Sequence, residues 1–296
     1  MRAPDRTGLA IILSLVALTL FDAMGLIIKH LSDGYSAAEL SAWRNLFGLI
    51  PSIIALWSSR AWHAGGRRLK IRQWKLALIR GAVVTCAQLC FYMSLGLMAF
   101  ATASTITYAS ALFTTALAIP ILGEKVGWVR WIAVLVGFVG VIMVVQPGSD
   151  SFSAYPLLPL AAAAFYALVG VTARLFDDDV PSPLVNLYSS IAAVIGAFTI
   201  AYFWGGFTPI ASLTDLGWIM AMGGFGGTAV LFLVVSYRMT EQSNLAPFSY
   251  FGIPLAFVMG WAFFDETPWN TLFPGAILIA AGGLLIVWRE RMRQRA

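Results

Sequence analysis

The sequence predicts an all-α integral membrane protein: ten transmembrane helices in two five-helix inverted repeats. Three observations carry that prediction. Ten apolar stretches follow one another with only short connections between them. Hydrophobic residues make up 59% of the chain and charged residues 11%, against about 45–50% and about 25% in soluble domains. The second half of the chain also echoes the first at a constant offset.

The spans, in order, are Gly8–His30, Ser36–Ser58, Gln73–Met98, Phe100–Leu122, Trp128–Gln146, Ala154–Leu175, Pro181–Phe203, Asp215–Arg238, Ser243–Phe264 and Asn270–Glu290. A bilayer core is about 30 Å thick and a helix rises about 1.5 Å per residue, so roughly 20 apolar residues suffice to cross it. Unpaired backbone groups are costly in lipid, so stretches this long and apolar are helices. Spans and short loops use up the length, leaving no room for a separate aqueous domain. The halves are residues 1–148, with the first five spans, and 149–296, with the last five.

The net charge is +5. No loop is long enough to build a nucleic-acid-binding fold, so the basic excess reads as a topology signal. With the N-terminus in the cytoplasm, the inner segments hold 16 of the 19 Lys and Arg residues and the outer loops only Lys29. Arg44 and Arg80 lie within spans. Both termini are therefore expected in the cytoplasm. The first apolar run follows Arg2 and Arg6, as a signal peptide would. It is longer than the usual 7–15 residues or so, carries Asp22 and Lys29, and lacks a cleavage site, so it reads as a retained helix. Cys86 and Cys90, four apart on one helix, read as small packing residues. No zinc-type spacing is present, and no metal or cofactor is expected.

Sliding Arg80–Gln146 onto Met222–Trp288 without a gap pairs Gly81 with Gly223, Tyr108 with Tyr250, Glu124 with Glu266 and Gly140 with Gly282. Eight identities over 67 positions are few, but the register holds across three consecutive helices. Five helices is an odd number, so the second half enters the membrane from the opposite side, a device of secondary transporters. Gly223, Gly224, Gly226 and Gly227 in the eighth span, and Pro247 and Pro254 in the ninth, are signals for kinks or close helix contact.

Ionisable residues deep in spans are costly and therefore informative. Asp22 and Arg44 fall at one depth, both about 4.5 Å outside the midplane. An Asp22–Arg44 ion pair would fix helix packing; alternatively, either residue faces a cavity and engages a substrate carboxylate or amine. Arg80, near the inner end, is expected to snorkel to the headgroups. Glu124 and Glu266 each precede the last helix of their half, where a carboxylate caps a helix N-terminus; a gating role is the alternative. Trp57, Trp74, Trp128, Trp131, Trp204, Trp218, Trp269 and Trp288 lie near span ends, as an interfacial belt does. Trp43 instead sits beside Arg44. Gln88, Tyr92, Tyr108 and Tyr250 lie inside spans, and the fourth span is rich in hydroxyls: Thr102, Ser104, Thr105, Thr107, Ser110, Thr114 and Thr115. Such groups need partners or water. Together they point to a partly wet, aromatic-lined central cavity, with Trp43 and Arg44 near its outer mouth.

The run from Ala103-Ser104 through Tyr108 to Pro120-Ile121-Leu122-Gly123-Glu124-Lys125, with its echo from Asn244 through Tyr250 to Asp265-Glu266-Thr267, resembles the drug/metabolite transporter superfamily in its ten-helix exporter branch. Arg44 and Arg80-Gly81 are similar to that family's pattern; Asp265 departs from it, standing where Gly is usual. The resemblance covers nearly the whole chain and implies an exporter of small metabolites in a bacterial inner membrane, as monomer or homodimer. Within the branch the chain looks most like the aromatic amino acid and methyl viologen exporters.

The expected function is export of small metabolites, amino acids including aromatic ones, by alternating access. Arg44 would bind the carboxylate, with Trp43, Tyr92, Tyr108 and Tyr250 around the side chain. No nucleotide-binding motif is present. An Asp22 paired with Arg44 would hold its charge near neutrality, which favours facilitated diffusion over proton coupling. The alternatives are an exporter or exchanger of other metabolites, sugar phosphates or cationic drugs, an intramembrane enzyme, or a channel. An enzyme would need a catalytic constellation, and none is legible. A small-molecule substrate and the bilayer are the expected partners, with no nucleic acid.

Overall fold

The computed structural model describes residues 7–123, 128–146, 153–177, 180–239, 245 and 248–295, and no strand occurs among them. Helix α1 (Thr7–Leu31) leads into α2 (Ala37–Trp57). Ser36 stops and restarts the chain there: its side chain accepts the Glu39 N–H while the Glu39 carboxylate accepts the Ser36 N–H, a capping box. A short α3 (Arg60–Ala64) precedes α4 (Trp74–Leu97). The fourth predicted span is divided into α5 (Phe100–Thr107) and α6 (Ser110–Leu122). Then follow α7 (Trp128–Val145), α8 (Leu157–Thr172), α9 (Ser182–Phe203), α10 (Leu213–Met239), α11 (Gly252–Phe264), α12 (Trp269–Leu272) and α13 (Gly275–Arg295).

Seven of these segments are long and apolar enough to cross a membrane. Trp131–Val145, Gly252–Phe264 and Gly275–Leu285 are shorter apolar helices, standing where the fifth, ninth and tenth spans are expected. The break between α5 and α6 has a local cause. The Tyr108 N–H is shared between the carbonyls of Ser104 and Thr105, at 3.2 and 3.1 Å, and the Ala109 N–H reaches back only three residues to Ile106. The Thr107 hydroxyl donates to the Ala103 carbonyl at 2.9 Å, and hydroxyl back-bonding of this kind bends helices.

Helix α10 is the hub of one side of the bundle, packing against both α1 and α2. Helix α4 packs against α8 and α9, α2 also against α9, α7 against α13, and α5 against α11. Glycine permits the closest approaches. A Cβ on Gly81 of α4 would overlap the Ser189 carbonyl of α9, and one on Gly223 of α10 would overlap Phe47 of α2. The glycine run of the eighth span therefore brings α10 against α2 and does not break it; α10 is continuous through the run. The core of this region joins Ile28, Leu40, Tyr92, Leu95, Phe100 and Met222.

The outer surface is apolar, as lipid requires. All eight span-end Trp residues named above are exposed, from 42% at Trp218 to 75% at Trp204. The thiols of Cys86 and Cys90 are free, the first exposed and the second half-buried.

Candidate functional site

Helix α2 presents Ser41, Arg44 and Asn45, spaced three and four residues apart, on one face. Across from them stands Gln88 of α4. The Ser41 hydroxyl donates to Gln88 Oε1 at 3.0 Å and the Asn45 amide to the same oxygen at 2.7 Å. Gln88 Nε2 donates back to Asn45 Oδ1 at 3.1 Å, and Arg44 Nη1 donates to that oxygen, also at 3.1 Å. Ser41, Asn45 and Gln88 are all buried. The result is a polar layer in which three neutral side chains satisfy one another and steady one nitrogen of a guanidinium. The remaining charge of Arg44 is not answered: its Nε is buried without a hydrogen-bond partner.

The expected Asp22–Arg44 ion pair does not form; no oxygen of Asp22 comes within 4 Å of an Arg44 nitrogen. Equal depth on consecutive helices is not adjacency. The main neighbour of α1 is α10, which also packs against α2, and Gly226 of α10 sits against both Met24 of α1 and the guanidinium of Arg44. Asp22 is instead buried at 7% exposure, and its Oδ2 takes no hydrogen bond.

Tyr108 occupies the α5–α6 break, and Tyr250 the turn that leads into α11. Their rings meet at 6.5 Å between centroids, tilted by 43°. Both hydroxyls press on backbone where only glycine fits: a Cβ on Gly252 would overlap the Tyr108 hydroxyl, and one on Gly283 the Tyr250 hydroxyl. The Tyr250 hydroxyl is buried without a partner, as are Ser104 Oγ and Thr105 Oγ1 on α5. Tyr92 is buried in the central core beside Leu95 and Phe100.

Trp43 is half-buried in an aromatic cluster. Its indole meets Phe198 of α9 and Phe207 of the α9–α10 loop edge-on, at 5.7 and 5.8 Å between centroids. That loop is strapped to the start of α2. Glu39 accepts the Thr208 N–H, and Tyr35 accepts the Ala211 N–H at 3.0 Å while donating to Asp215 at 2.9 Å.

Glu266 caps a helix, but a different one from that expected. Its Oε2 accepts the Phe100 N–H at the start of α5, at 2.7 Å, and its Oε1 lies 2.9 Å from Lys29 Nζ. Lys29 also donates to the carbonyls of Leu95 and Met98 at the end of α4, at 3.1 and 2.7 Å. This is a cation on carbonyls left free at a helix C-terminus. Lys29 is thus a structural clamp on α1, α4 and α5, not a loop charge. Glu124 lies outside the described residues. Arg80 does not snorkel either: its Nε donates to the Val169 carbonyl of α8 at 3.1 Å and its Nη1 to Ser189 of α9 at 3.3 Å.

The structure therefore brings Arg44 and Gln88 together, and Tyr108 with Tyr250, while leaving Asp22 buried by itself on α1 and setting Trp43 in an aromatic cluster. The sequence reading missed Ser41, Asn45, Glu39 and Lys29. The polar stripe at 41, 44 and 45 was a usable signal, since that spacing marks one helix face.

Comparison with known proteins agrees with this architecture. A solved crystal structure superposes with a TM-score of 0.65 at 16% sequence identity, covering 96% of this chain and 98% of its own. The chain is 25% identical over 284 residues to an S-adenosylmethionine uptake transporter of Rickettsia bellii, covering 95% of this chain and 92% of that one. It is 26% identical to a pseudopaline exporter of Pseudomonas aeruginosa, over 94% of this chain and 93% of that one. A riboflavin transporter of Rhizobium johnstonii is 31% identical over 59% of this chain and 57% of its own. These relatives are transporters, not enzymes. The EamA-like transporter family matches residues 8–146 and again 154–288, nearly the whole length, and the chain is a multi-pass membrane transporter belonging to that family.

Proposed function

We propose that this transporter carries small organic metabolites that join a carboxylate to a flat apolar group, amino acids and amino-acid-bearing compounds foremost. The observation that carries this reading is Arg44, a charge held by Asn45 and without a carboxylate partner. A guanidinium in that state is a receptor for a carboxylate. The aromatic pair Tyr108 and Tyr250 supplies the flat apolar contact. The relative named for S-adenosylmethionine suits the reading, since that compound carries both an amino-acid head and a purine ring. The named relatives include both an uptake transporter and an exporter. Amino acid export, the expectation from sequence, is one direction of a carrier whose net flux follows the imposed gradients.

Alternating access between two inverted repeats is the proposed mechanism. Exchanging the first five predicted spans for the last five turns the α1–α10 contact into α8–α4 and the α2–α10 contact into α9–α4, and both exist. Gly123 and Asp265, 142 positions apart, both end their helices in the left-handed conformation. Such paired packing supports the repeat. The charge split across the loops supports cytoplasmic termini.

The test is counterflow in proteoliposomes with labelled tryptophan, phenylalanine, methionine and S-adenosylmethionine. Riboflavin, which has a flat ring and no carboxylate, is the control. The expected result is exchange of carboxylate-bearing probes that falls roughly tenfold or more in Arg44→Ala. Equal exchange by wild type and Arg44→Ala, or exchange of riboflavin alone, would overturn the assignment.

A further inference from the structure

The most unusual group in the bundle is Asp22. It sits two-thirds of the way along α1, it is 7% exposed, and Oδ2 is without a hydrogen bond. Among the described residues, the ion pair that α1 does make is the Lys29–Glu266 clamp, more than a turn away from Asp22. The titratable groups on the elements packed around α1 do not answer its charge. On α10, Asp215 is tied to Tyr35 and Ser212. On α4, Arg80 is committed to α8 and α9, and Lys75 lies against Trp74 at the far end. Cys86, Cys90 and Tyr92 on α4 carry no positive charge. Helix α11 has no titratable residue, and α5 has none before Tyr108. Arg44 faces its own α2–α4 layer across Gly226.

A carboxyl buried in this way either takes a proton or finds a cation. Lys29 and Arg80 are committed elsewhere and no Arg44 nitrogen comes within 4 Å of the carboxyl, which leaves the proton. The position fits a moving one. Asp22 stands one turn before Gly25, which packs against Phe100 of α5, the first part of the span that breaks at Tyr108, and a discontinuous helix at a repeat interface is where a transporter's two halves move against each other. We propose that Asp22 is a proton-binding site that couples transport to proton movement, loading from one side of the membrane and releasing to the other as the break region changes. This rests on the transporter reading above and reverses the expectation of facilitated diffusion, because that expectation depended on an ion pair the fold does not make.

The test uses the full chain in phosphatidylethanolamine–phosphatidylglycerol vesicles and has two readouts. The first is labelling by dicyclohexylcarbodiimide: the protonated carboxyl adds across one C=N bond to give an O-acylisourea, whose acyl group then shifts from oxygen to nitrogen, leaving a stable N-acylurea with no leaving group. Peptide mass spectrometry should find the adduct on Asp22, decreasing as the pH is raised, lost in Asp22→Asn and regained in Asp22→Glu. The second is accumulation of labelled S-adenosylmethionine under an imposed pH gradient. It should fall roughly tenfold or more in Asp22→Asn and return in Asp22→Glu. An unlabelled Asp22 at acid pH, or an Asp22→Asn protein that follows the gradient as wild type does, overturns the proposal. If wild type moves none of the probe, it is the substrate reading that fails, and the carbodiimide labelling still decides Asp22.

Discussion

Two polar regions inside this bundle differ in one respect. In the α2–α4 layer, Ser41, Asn45 and Gln88 exchange hydrogen bonds among themselves, while the neighbouring Arg44 Nε and Trp43 Nε1 stay without partners. Around the α5–α6 break, Ser104, Thr105 and Tyr250 each bury an oxygen without a partner. Buried polar atoms are normally satisfied, and a group of exceptions asks for a reason. The first region behaves as scaffold, fixing the angle of Arg44. The second has spare hydrogen-bonding capacity, which is what a site that must take up and release something needs. The difference teaches that the polar residues of one membrane core divide by satisfaction, not by type.

Substitution should treat the two regions in opposite ways. Gln88→Leu removes the hub of the satisfied layer and leaves Asn45 buried without its partner. It should cost about 3 kcal/mol, read as an earlier unfolding transition in detergent. If Gln88→Leu is as stable as wild type, the layer is not a scaffold. The Lys29–Glu266 clamp is the next test. A double-mutant cycle with Lys29→Met and Glu266→Gln should give a coupling of about 2 kcal/mol, since the pair is partly shielded and also holds the ends of α4 and α5. Additive effects would show that each residue acts alone. The sign should then reverse at the break: Thr105→Val replaces an unpartnered buried hydroxyl by a methyl of the same shape and should stabilise by about 1 kcal/mol. Its transport should fall, and a variant that is both more stable and fully active would dissolve the distinction drawn here. The smallest effect lies between the halves. Asp265 holds a left-handed φ of 54° where its counterpart Gly123 has 67°. Asp265→Gly should stabilise by about 0.5 kcal/mol, the left-handed strain relieved less the added freedom of the unfolded glycine.

Much of the architecture was legible beforehand. The seven long spans and the three shorter apolar helices fall where apolar length placed them, and the interfacial tryptophans face outward. The site was legible only in pieces. Gln88, Tyr108, Tyr250 and Arg44 could be picked out because polar groups inside a membrane are rare. Their partners could not. Arg80 was assigned to the headgroups, yet it serves α8 and α9. Glu266 was assigned to the helix that follows it, yet it serves α5. Trp43 was picked out beside Arg44, but its ring partners Phe198 and Phe207 lie far along the chain.

The sequence alone determined what is fixed by local physics. Lipid forbids unpaired backbone, so apolar length dictates helices, and hydroxyls and glycines dictate where helices bend, approach or stop. Tertiary structure decided which charges meet. Asp22 and Arg44 share a depth, but α10 packs against both of their helices, and electrostatic partnership falls off with distance, not with position along the chain. One inserted helix turned an expected ion pair into two separate charges, one set in a polar layer and one left to find a proton.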